Sequence, residues 1–493
     1  MRTGKCLFII FFFIQLFGVS NLLYSQPNTL YFMKGIPQTK DINPARPGIT
    51  GGFYFSMPLF SKLDLSANTN NWSYNDLIHK GIDNTLNNNV QANHAFWNQS
   101  DSLVVDINKF LGSIGTKNFV QESAALTVLE GGYKKGKNFY AVSLTEREFA
   151  EVSFHKSLIN LLVFGNYQYV GRTYFSGNLN VNTQHYREFA FNYSHDVDNK
   201  LTIGAAAKIL FGMGVIQSNG VNLIAATPVN GESMDVKING RVNVSAPVQF
   251  NTNPSGEITS INSLPNYKPS DYFSNFGNPG IAIDLGFAYR VNKKTELSVS
   301  VIDLGMIAWK TNVTRLTENG NFLYKGINLN TAQPVPLNSL INAVSDSITA
   351  TFKPTITHSS FSTLIPTKIY FGVDYQLNDI ISLAGLSRIR IINSTIHTSL
   401  TASANAYVLN GLSLSASYSI MESTFDNLGL GVGIKAGPFQ IYTAADNLFS
   451  PFYPSKARNM NLRIGINFIF GDGDNGNAGK SGSSSYPNCH CPY

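Results

Sequence analysis

GLSLSASYSI, residues 411–420, alternates two kinds of side chain without a break. One side of an extended chain would carry apolar residues: Leu412, Leu414, Ala416, Tyr418 and Ile420. The other side would carry only serines: Ser413, Ser415, Ser417 and Ser419. A period of two predicts a β-strand with two unlike faces. The absence of charge on the polar face is unusual for a strand that meets bulk water.

The whole composition is also poor in charge. Of 493 residues, 43% are hydrophobic and 13% are charged, against roughly 25% charged residues in an ordinary soluble domain. The net charge of +6 is spread along the chain. Because no run of Lys and Arg is interleaved with aromatic residues, we expect no nucleic-acid partner.

The N-terminus has the features of a secretory signal peptide. Arg2 and Lys5 precede the apolar stretch at residues 7–19, and Tyr24-Ser25 before Gln26 is a plausible cleavage site. We therefore divide the chain into four parts. They are a signal peptide (1–25), a proline-containing segment that enters the lumen or stays periplasmic (26–48), a barrel (49–470) with inserts at 71–118 and 305–365, and a flexible Gly/Ser-rich tail (471–493).

Several other segments alternate as the serine stretch does, at residues 200–212, 280–291, 368–377, 428–437 and 460–470. Each runs for about ten residues, which is long for a soluble sheet but suits a tilted strand that crosses a bilayer. Counted back from Phe470, short polar turns are predicted on the periplasmic side at 134–137, 196–199, 227–232, 292–294, 378–379, 409–411 and 436–438. Outward connections are predicted between them at 71–118, 245–279, 305–365, 421–426 and 446–459.

Strands in lipid must pair all their backbone groups, which a closed barrel achieves. The sequence therefore predicts an all-β protein, a transmembrane antiparallel β-barrel of roughly 14 to 18 strands, even in number. It should have short periplasmic turns and long extracellular loops. Within it, residues 139–154 are open to interpretation as two strands across a tight turn, and 157–166 as an apolar bend or a short helix.

Five blocks of sequence together resemble a known family: residues 30–45, 158–166, 187–214, 278–312 and 443–471. They include LYFMKGIPQTKDINPA at the start and TAADNLFSPFYPSKARNMNLRIGINFIFG at the end. The family is an uncharacterised outer-membrane β-barrel family of Bacteroidota, a domain of unknown function. It is similar in architecture to FadL-type fatty-acid transporters and to barrels associated with type IX secretion and gliding. The resemblance implies an outer-membrane barrel of a Gram-negative bacterium and names no substrate.

The sequence shows no motif of a known catalytic site. It has no G-x-S-x-G elbow, no H-E-x-x-H pair and no phosphate-binding glycine loop. His185 and His195 would lie about 30 Å apart on one strand, at ~3.3 Å per residue, and cannot share a metal. Cys489 and Cys491 flank His490 in the tail, too few ligands for a closed metal site within one chain. We expect no enzyme, no cofactor and no metal.

Charged residues on the polar faces of predicted strands are the candidate lumen residues. They are Glu188, Lys208, Asp284, Arg290, Glu296, Lys368, Asp374, Lys435 and Arg463. Mixed signs favour pairing between strands or with an inserted segment over a strongly ion-selective pore. In the extracellular inserts, Ser102 and Ser347 follow Asp and precede an aliphatic residue. The resemblance to Bacteroidota proteins makes both serines O-glycosylation candidates.

Three functional hypotheses follow. The first is a passive channel or transporter for small or hydrophobic solutes. The second is a non-transporting barrel that serves as scaffold or partner in a surface or type IX secretion and gliding complex, because long loops on a rigid frame carry recognition. An outer-membrane hydrolase assembled from distant strands is a remote third. Expected partners are outer-membrane lipid, the barrel-assembly machinery, and either a hydrophobic small molecule or a surface protein.

Overall fold

The structure is a computed structural model that describes residues 28–80, 103–164, 169–229, 234–254, 256–324, 353–392, 395–408, 411–421, 424–450 and 452–471. Among these residues, no helix has both the length and the apolar character needed to cross a membrane. The predicted tail and signal peptide, with Ser102 and Ser347, lie outside the described residues.

β-Strands account for most of the described chain. The first eleven are β1 (Gly52–Ser56), β2 (Lys62–Thr69), β3 (Ile78–Lys80), β4 (Leu103–Val105), β5 (Lys117–Lys135), β6 (Asn138–His155), β7 (Arg172–Asp196), β8 (Leu201–Thr227), β9 (Met234–Ser245), β10 (Val248–Thr252) and β11 (Ile258–Ser263). The others are β12 (Pro279–Arg290), β13 (Thr295–Trp309), β14 (Val313–Tyr324), β15 (Thr355–Thr357), β16 (Phe361–Leu364), β17 (Thr367–Gln376), β18 (Ile381–Ile392), β19 (Thr395–Val408), β20 (Leu412–Met421), β21 (Thr424–Ala436), β22 (Phe439–Ala445) and β23 (Asn459–Phe470).

The helices are short and lie outside the sheet. They are α1 (Tyr74–Leu77), α2 (Ile107–Ser113), α3 (Lys156–Phe164) and α4 (Pro269–Phe273), with 3₁₀ turns at Pro37–Asp41 and Pro454–Lys456. Residues 157–164 thus belong to a helix, one of the two predicted possibilities. Residues 139–154 form part of the single strand β6, so the interpretation as two strands across a tight turn is wrong.

The strands close into an antiparallel ring. Its order is β1/β2, β5, β6, β7, β8, β9/β12, β13/β14, β15–β17, β18, β19, β20, β21, β22 and β23, and β23 pairs again with β1 and β2. Within the described residues this gives fourteen positions around the ring, an even number inside the predicted range. The predicted antiparallel barrel is confirmed.

Four positions in the ring are shared by strands that follow one another along the barrel wall. β12 pairs with the first part of β8, where Tyr289 lies opposite Leu201, and β9 pairs with the later part. Residues 246–278, which contain the β10–β11 hairpin and α4, separate the two. This insertion therefore interrupts one strand position midway instead of joining two neighbouring strands at the barrel's end, as the predicted outward connection at 245–279 would.

The strands that flank six of the seven predicted inward turns meet at one end of the barrel, here called the turn end. Residues 409–410 of one of these turns lie outside the described residues. The prediction for 227–232 is wrong. Thr227 pairs with Arg172, at the opposite end of β7 from Asp196, so this connection lies at the other end, here called the loop end. Not every loop-end connection is long, because Ile392 pairs with Thr395 and Met421 with Thr424.

The outer and inner faces of the ring differ as the alternation predicts. On β12 the outward residues Ile281, Ile283, Leu285, Phe287 and Tyr289 are exposed, and Ala282, Asp284 and Ala288 between them are buried. The four serines of β20 are all buried, and Tyr418 and Ile420 are exposed. A belt of exposed aliphatic and aromatic residues around a closed ring is the surface of a barrel in a bilayer.

Residues 28–50 fold back into the lumen from the turn end, and are called the plug below. Leu30, Tyr31, Phe32, Met33 and Ile36 are buried there and pack with Tyr370 and Tyr442 of the wall. The plug is thus in the lumen, one of the two predicted locations. It explains why serine and glycine line this part of the wall: their small side chains leave room for another segment.

Candidate functional site: a plugged and charged lumen

The first described residues of the plug are tied to the wall by one buried carboxylate. The backbone N–H groups of Asn28 and Thr29 donate to the two oxygens of Asp446, at 3.1 and 2.8 Å. The Thr29 hydroxyl lies 2.8 Å from that of Ser417, in the serine stretch of β20. These bonds satisfy polar groups that would otherwise be buried without partners.

The middle of the plug packs closely against small wall residues. The Tyr31 hydroxyl donates to Ser298 Oγ at 3.0 Å, and Ser413 Oγ donates to the carbonyl of Lys34 at 2.5 Å. A side chain at Gly431 would overlap the sulfur of Met33. Apolar contact and hydrogen bonds alternate along the segment, so the wall fixes its register.

The 3₁₀ turn of the plug carries amide and ionic contacts. Gln38 and Asn467 exchange two amide hydrogen bonds of 2.8 and 3.0 Å. Lys40, fully buried, lies 2.9 Å from Glu130 and 2.6 Å from Asp41. Burial alone would lower the pKa of Lys40, but these two carboxylates outweigh it and raise that pKa above its usual range.

Beyond the plug, four of the sequence-predicted residues meet in one ionic cluster. Lys208 Nζ lies 2.7 Å from Asp284, 2.5 Å from Asp303 and 3.7 Å from Glu188. Lys368 lies 2.6 Å from Asp303. Neighbouring strands supply the partners, because β8 holds Lys208 and β12 holds Asp284.

Two arginine forks border this cluster. Arg147 binds both oxygens of Glu188, at 2.8 and 3.0 Å. Arg463, also predicted from the sequence, binds both oxygens of Asp64 on β2. Bidentate pairs of this kind hold the geometry of both side chains.

The remaining predicted residues lie apart from the cluster. Glu296 lies 3.2 Å from Arg46 of the plug and 3.6 Å from Arg290, near the turn end. Asp374 is buried, and its Oδ1 has no hydrogen-bond partner among the described residues. Lys435 is half-buried on β21.

The structure adds charged residues that the sequence reasoning missed. Asp303 has a left-handed backbone (φ 62°) beside the irregularity where β12 and β13 change register, so a strict period of two misplaces it. Arg388 and Arg390, two residues apart on β18, are both buried. Both arginines alternate with apolar residues along β18, and this pattern could have identified them from the sequence.

A cavity of about 100 Å³ lies where the plug, the ionic cluster and the arginine forks meet. Plug residues Asp41 and Ile42 form part of its lining. Six cationic residues line it: Lys62, Arg147, Lys368, Arg388, Arg390 and Arg463. The carboxylates that line it are Asp41, Asp64 and Asp303. Glu148 also borders the cavity, but it lies opposite His185 of β7 and its side chain lies on the outer face of the wall. Cations therefore exceed carboxylates by three, and the arrangement can hold polar or negatively charged groups.

The chain is similar to several solved structures at low identity. The toluene transporter TbuX of Ralstonia pickettii is 12% identical, with 91% of this chain and 99% of that chain covered and a TM-score of 0.39. The toluene transporter TodX of P. putida is 10% identical, with 91% and 96% covered and a TM-score of 0.36. A FadL homologue of Pseudomonas aeruginosa is 11% identical, with 90% and 92% covered and a TM-score of 0.38.

Sequence comparison gives the family. No curated protein matches the chain. Residues 47–446, which span most of the barrel, match a family of unknown function, DUF5723, and the chain belongs to that family.

Proposed function

We propose that the protein is an outer-membrane transport protein of a Gram-negative bacterium, closed by its own plug, with a path for small polar solutes. The observation that carries the proposal is the charged cavity of about 100 Å³ against the plug. Buried ion pairs contribute little net stability compared with apolar packing. If the lumen side chains only stabilised the fold, uncharged side chains would stabilise it equally well.

The cavity lining favours polar over hydrophobic solutes. Lys368, Arg388 and Arg463 all line it. An apolar molecule placed there would remove water from these cations and return no hydrogen bonds, which costs several kcal/mol by the order of magnitude of buried polar groups. Of the small or hydrophobic solutes expected from the sequence, the small polar ones fit.

The plug is the part of the lumen best suited to move. It is joined to the barrel through Gly48 and Gly52, both with a left-handed backbone (φ 71° and 74°). Its contacts with β20 and β23 are side-chain hydrogen bonds, such as those of Thr29 and Gln38, and include no strand pairing. Its displacement would therefore leave the backbone ladder of the barrel intact.

A reversible cross-link tests this proposal. Thr29→Cys with Ser417→Cys, in a chain whose Cys489 and Cys491 are replaced by Ser, should form a disulfide, because the two hydroxyls are 2.8 Å apart. We expect solute flux into liposomes to be low when the link is oxidised and to rise on reduction. The two single-cysteine variants serve as controls and should not respond to reductant. Flux that is the same in the oxidised and reduced double variant would contradict the proposal.

A scaffold role is the second candidate, and one observation favours it. The α4 insertion lies on the outer face of the wall, where the hydroxyl of Tyr272 is 2.9 Å from His185 Nδ1 and the carbonyl of Phe273 accepts from Arg187 at 3.0 Å. Phe273 and Phe276 are exposed there. A surface protein that co-purifies only when Phe273 and Phe276 are intact, together with no flux in any plug variant, would favour the scaffold.

A further inference from the structure

Arg388 differs from the other cations of the cavity in its partners. It is 5% exposed on β18 and lines the cavity. Its Nη1 donates to the neutral side chain of Asn28 at 3.2 Å, and its Nε has no hydrogen-bond partner among the described residues. Within that part of the chain it forms no salt bridge. Asp446, which accepts from the backbone N–H of Asn28, supplies negative charge near Arg388 without a direct ion pair. The buried guanidinium is therefore only partly compensated, which is costly.

The three carboxylates whose side chains line the cavity are already paired with other cations. Asp64 binds Arg463, and Asp303 binds Lys208 and Lys368. Asp41 pairs with Lys40 and Lys62 of the opposite charge. Because each of these anions has at least one cation of its own, the cationic excess of the lining falls on the arginines.

Arg463 offers a second unused donor. Its Nε and Nη2 are bound to Asp64, and its Nη1 has no hydrogen-bond partner among the described residues. Arg463 is 5% exposed and lines the same cavity from β23. Two buried guanidinium groups that line one cavity thus each keep an N–H donor without a hydrogen-bond partner among the described residues.

We propose that this cavity binds a small oxyanion group, held by the guanidinium groups of Arg388 and Arg463. Guanidinium groups form directed, charge-assisted hydrogen bonds to phosphate and carboxylate oxygens. A cavity of about 100 Å³ accommodates an anion as small as phosphate or acetate. The site itself stands on these contacts. Its role as a binding site along the path of the transported solute rests on the proposed transport function.

Binding by the purified full-length mature protein in detergent tests the site without any measurement of flux. Inorganic phosphate and acetate would each be titrated calorimetrically at constant ionic strength set by chloride. We expect saturable binding of phosphate, and the acetate titration shows whether a single carboxylate suffices. Arg388→Gln should weaken phosphate binding by about tenfold, the usual effect of losing one charge-assisted hydrogen bond.

Two further variants keep the test decisive. Arg388→Lys retains the charge and loses the planar guanidinium group, so it should lose less phosphate affinity than Arg388→Gln. If Arg388→Gln does not fold, the affinity of Arg388→Lys is compared with that of the wild type. Arg315→Gln removes an arginine that lies outside the cavity and donates to Asn243 at 3.1 Å, and should bind phosphate as the wild type does. Wild-type protein that binds neither anion, or Arg388 variants that bind as tightly as wild type, would overturn the site. If the protein binds phosphate but the flux is the same with the plug cross-link oxidised or reduced, only the proposed transport function would be overturned.

Discussion

At the level of single residues, the lumen depends on charges that are buried and mutually compensated. The Lys208 side chain is 4% exposed and lies within 2.7 Å of two carboxylates, those of Asp284 and Asp303. Removing one member of such a group leaves the others without compensation, which costs more than the pair contributes when intact. The cluster is therefore fragile to substitution without being a major source of stability.

Lys208→Met tests that argument. We expect the free energy of unfolding to fall by about 3–5 kcal/mol, because Asp284 and Asp303 lose the cation between them. Lys134→Met is the matched control. Lys134 pairs with Asp196, whose side chain is 33% exposed, so water can replace the lost partner. Denaturant unfolding in detergent measures both, and equal losses in the two variants would contradict the cluster's role.

The sequence predicted individual lumen charges well where the backbone is regular. Glu188, Lys208, Asp284 and Lys368 were placed on inward faces by the period of two, and they meet in the structure. Asp303 was missed because it sits at a register change, where alternation no longer reports the face. Which cation pairs with which carboxylate depends on the pairing of strands distant in sequence, and no local pattern contains that information.

At the level of elements, the plug is held partly by ion pairs, so its docking should depend on pH. Burial would raise the pKa of Asp41, but Lys40 and Lys62 outweigh burial and hold that pKa well below 3.8, the usual value. A carboxyl whose folded pKa is depressed contributes stability above its unfolded pKa and loses that contribution as the pH falls further. The Asp41 contacts should thus persist at pH 5 and weaken below about pH 4.

Trypsin cleavage after pre-incubation at each pH, with rapid return to neutral pH, measures that dependence. Wild-type plug should resist cleavage at Lys34 and Lys40 after pH 5 and become accessible after treatment well below pH 4. Asp41→Asn should be accessible already at neutral pH, because Lys40 and Lys62 lose a carboxylate. A variant as resistant as wild type at neutral pH would show that these ion pairs do not hold the plug.

Wall glycines next to the plug should control its docking independently of charge. A side chain at Gly286 would overlap the Asn43 side chain and lie 2.7 Å from the backbone nitrogen of Ala45. We expect Gly286→Ala to increase tryptic cleavage of the plug several-fold with the barrel still folded. Gly385→Ala is the control, since its methyl group would meet only Val373 Cγ1 at 3.4 Å. Similar cleavage in both variants would argue against close packing as the cause.

Single elements were predictable where the alternation is regular over about ten residues, but their places in the ring were not. The alternation at 280–291 and 460–470 indicated β12 and β23 closely. It could not show that β9 and β12 occupy one position in the ring, because the 246–278 insertion carries strand and helix signals of its own. This ambiguity explains the wrong prediction of an inward turn at 227–232. Turns were assigned to the two ends by counting whole strands, and the count fails where two strands share one position in the ring.

At the level of the whole molecule, the barrel is taller on one side than the bilayer requires. β7 and β8 have 25 and 27 residues, where about ten residues suffice to cross. On the outer face of this tall wall, Phe189 and Phe191 are exposed, and Arg187 next to them pairs with Glu146 at 2.5 Å. The change from aromatic to ionic residues marks the upper edge of the lipid-facing belt.

The position of that belt predicts a depth-dependent cost for a charge on the outer face. Leu285 is 47% exposed in the middle of the apolar stretch of β12, and Val291 is 46% exposed at its turn end. Arginine at mid-bilayer costs about 2–4 kcal/mol and about 0–1 kcal/mol near the interface. Leu285→Arg should therefore lower the free energy of unfolding in liposomes much more than Val291→Arg, although the side chains of Leu285 and Val291 are exposed to a similar extent. Equal costs at the two positions would mean that the belt does not lie in a bilayer, and the lumen would then have to be explained without a membrane.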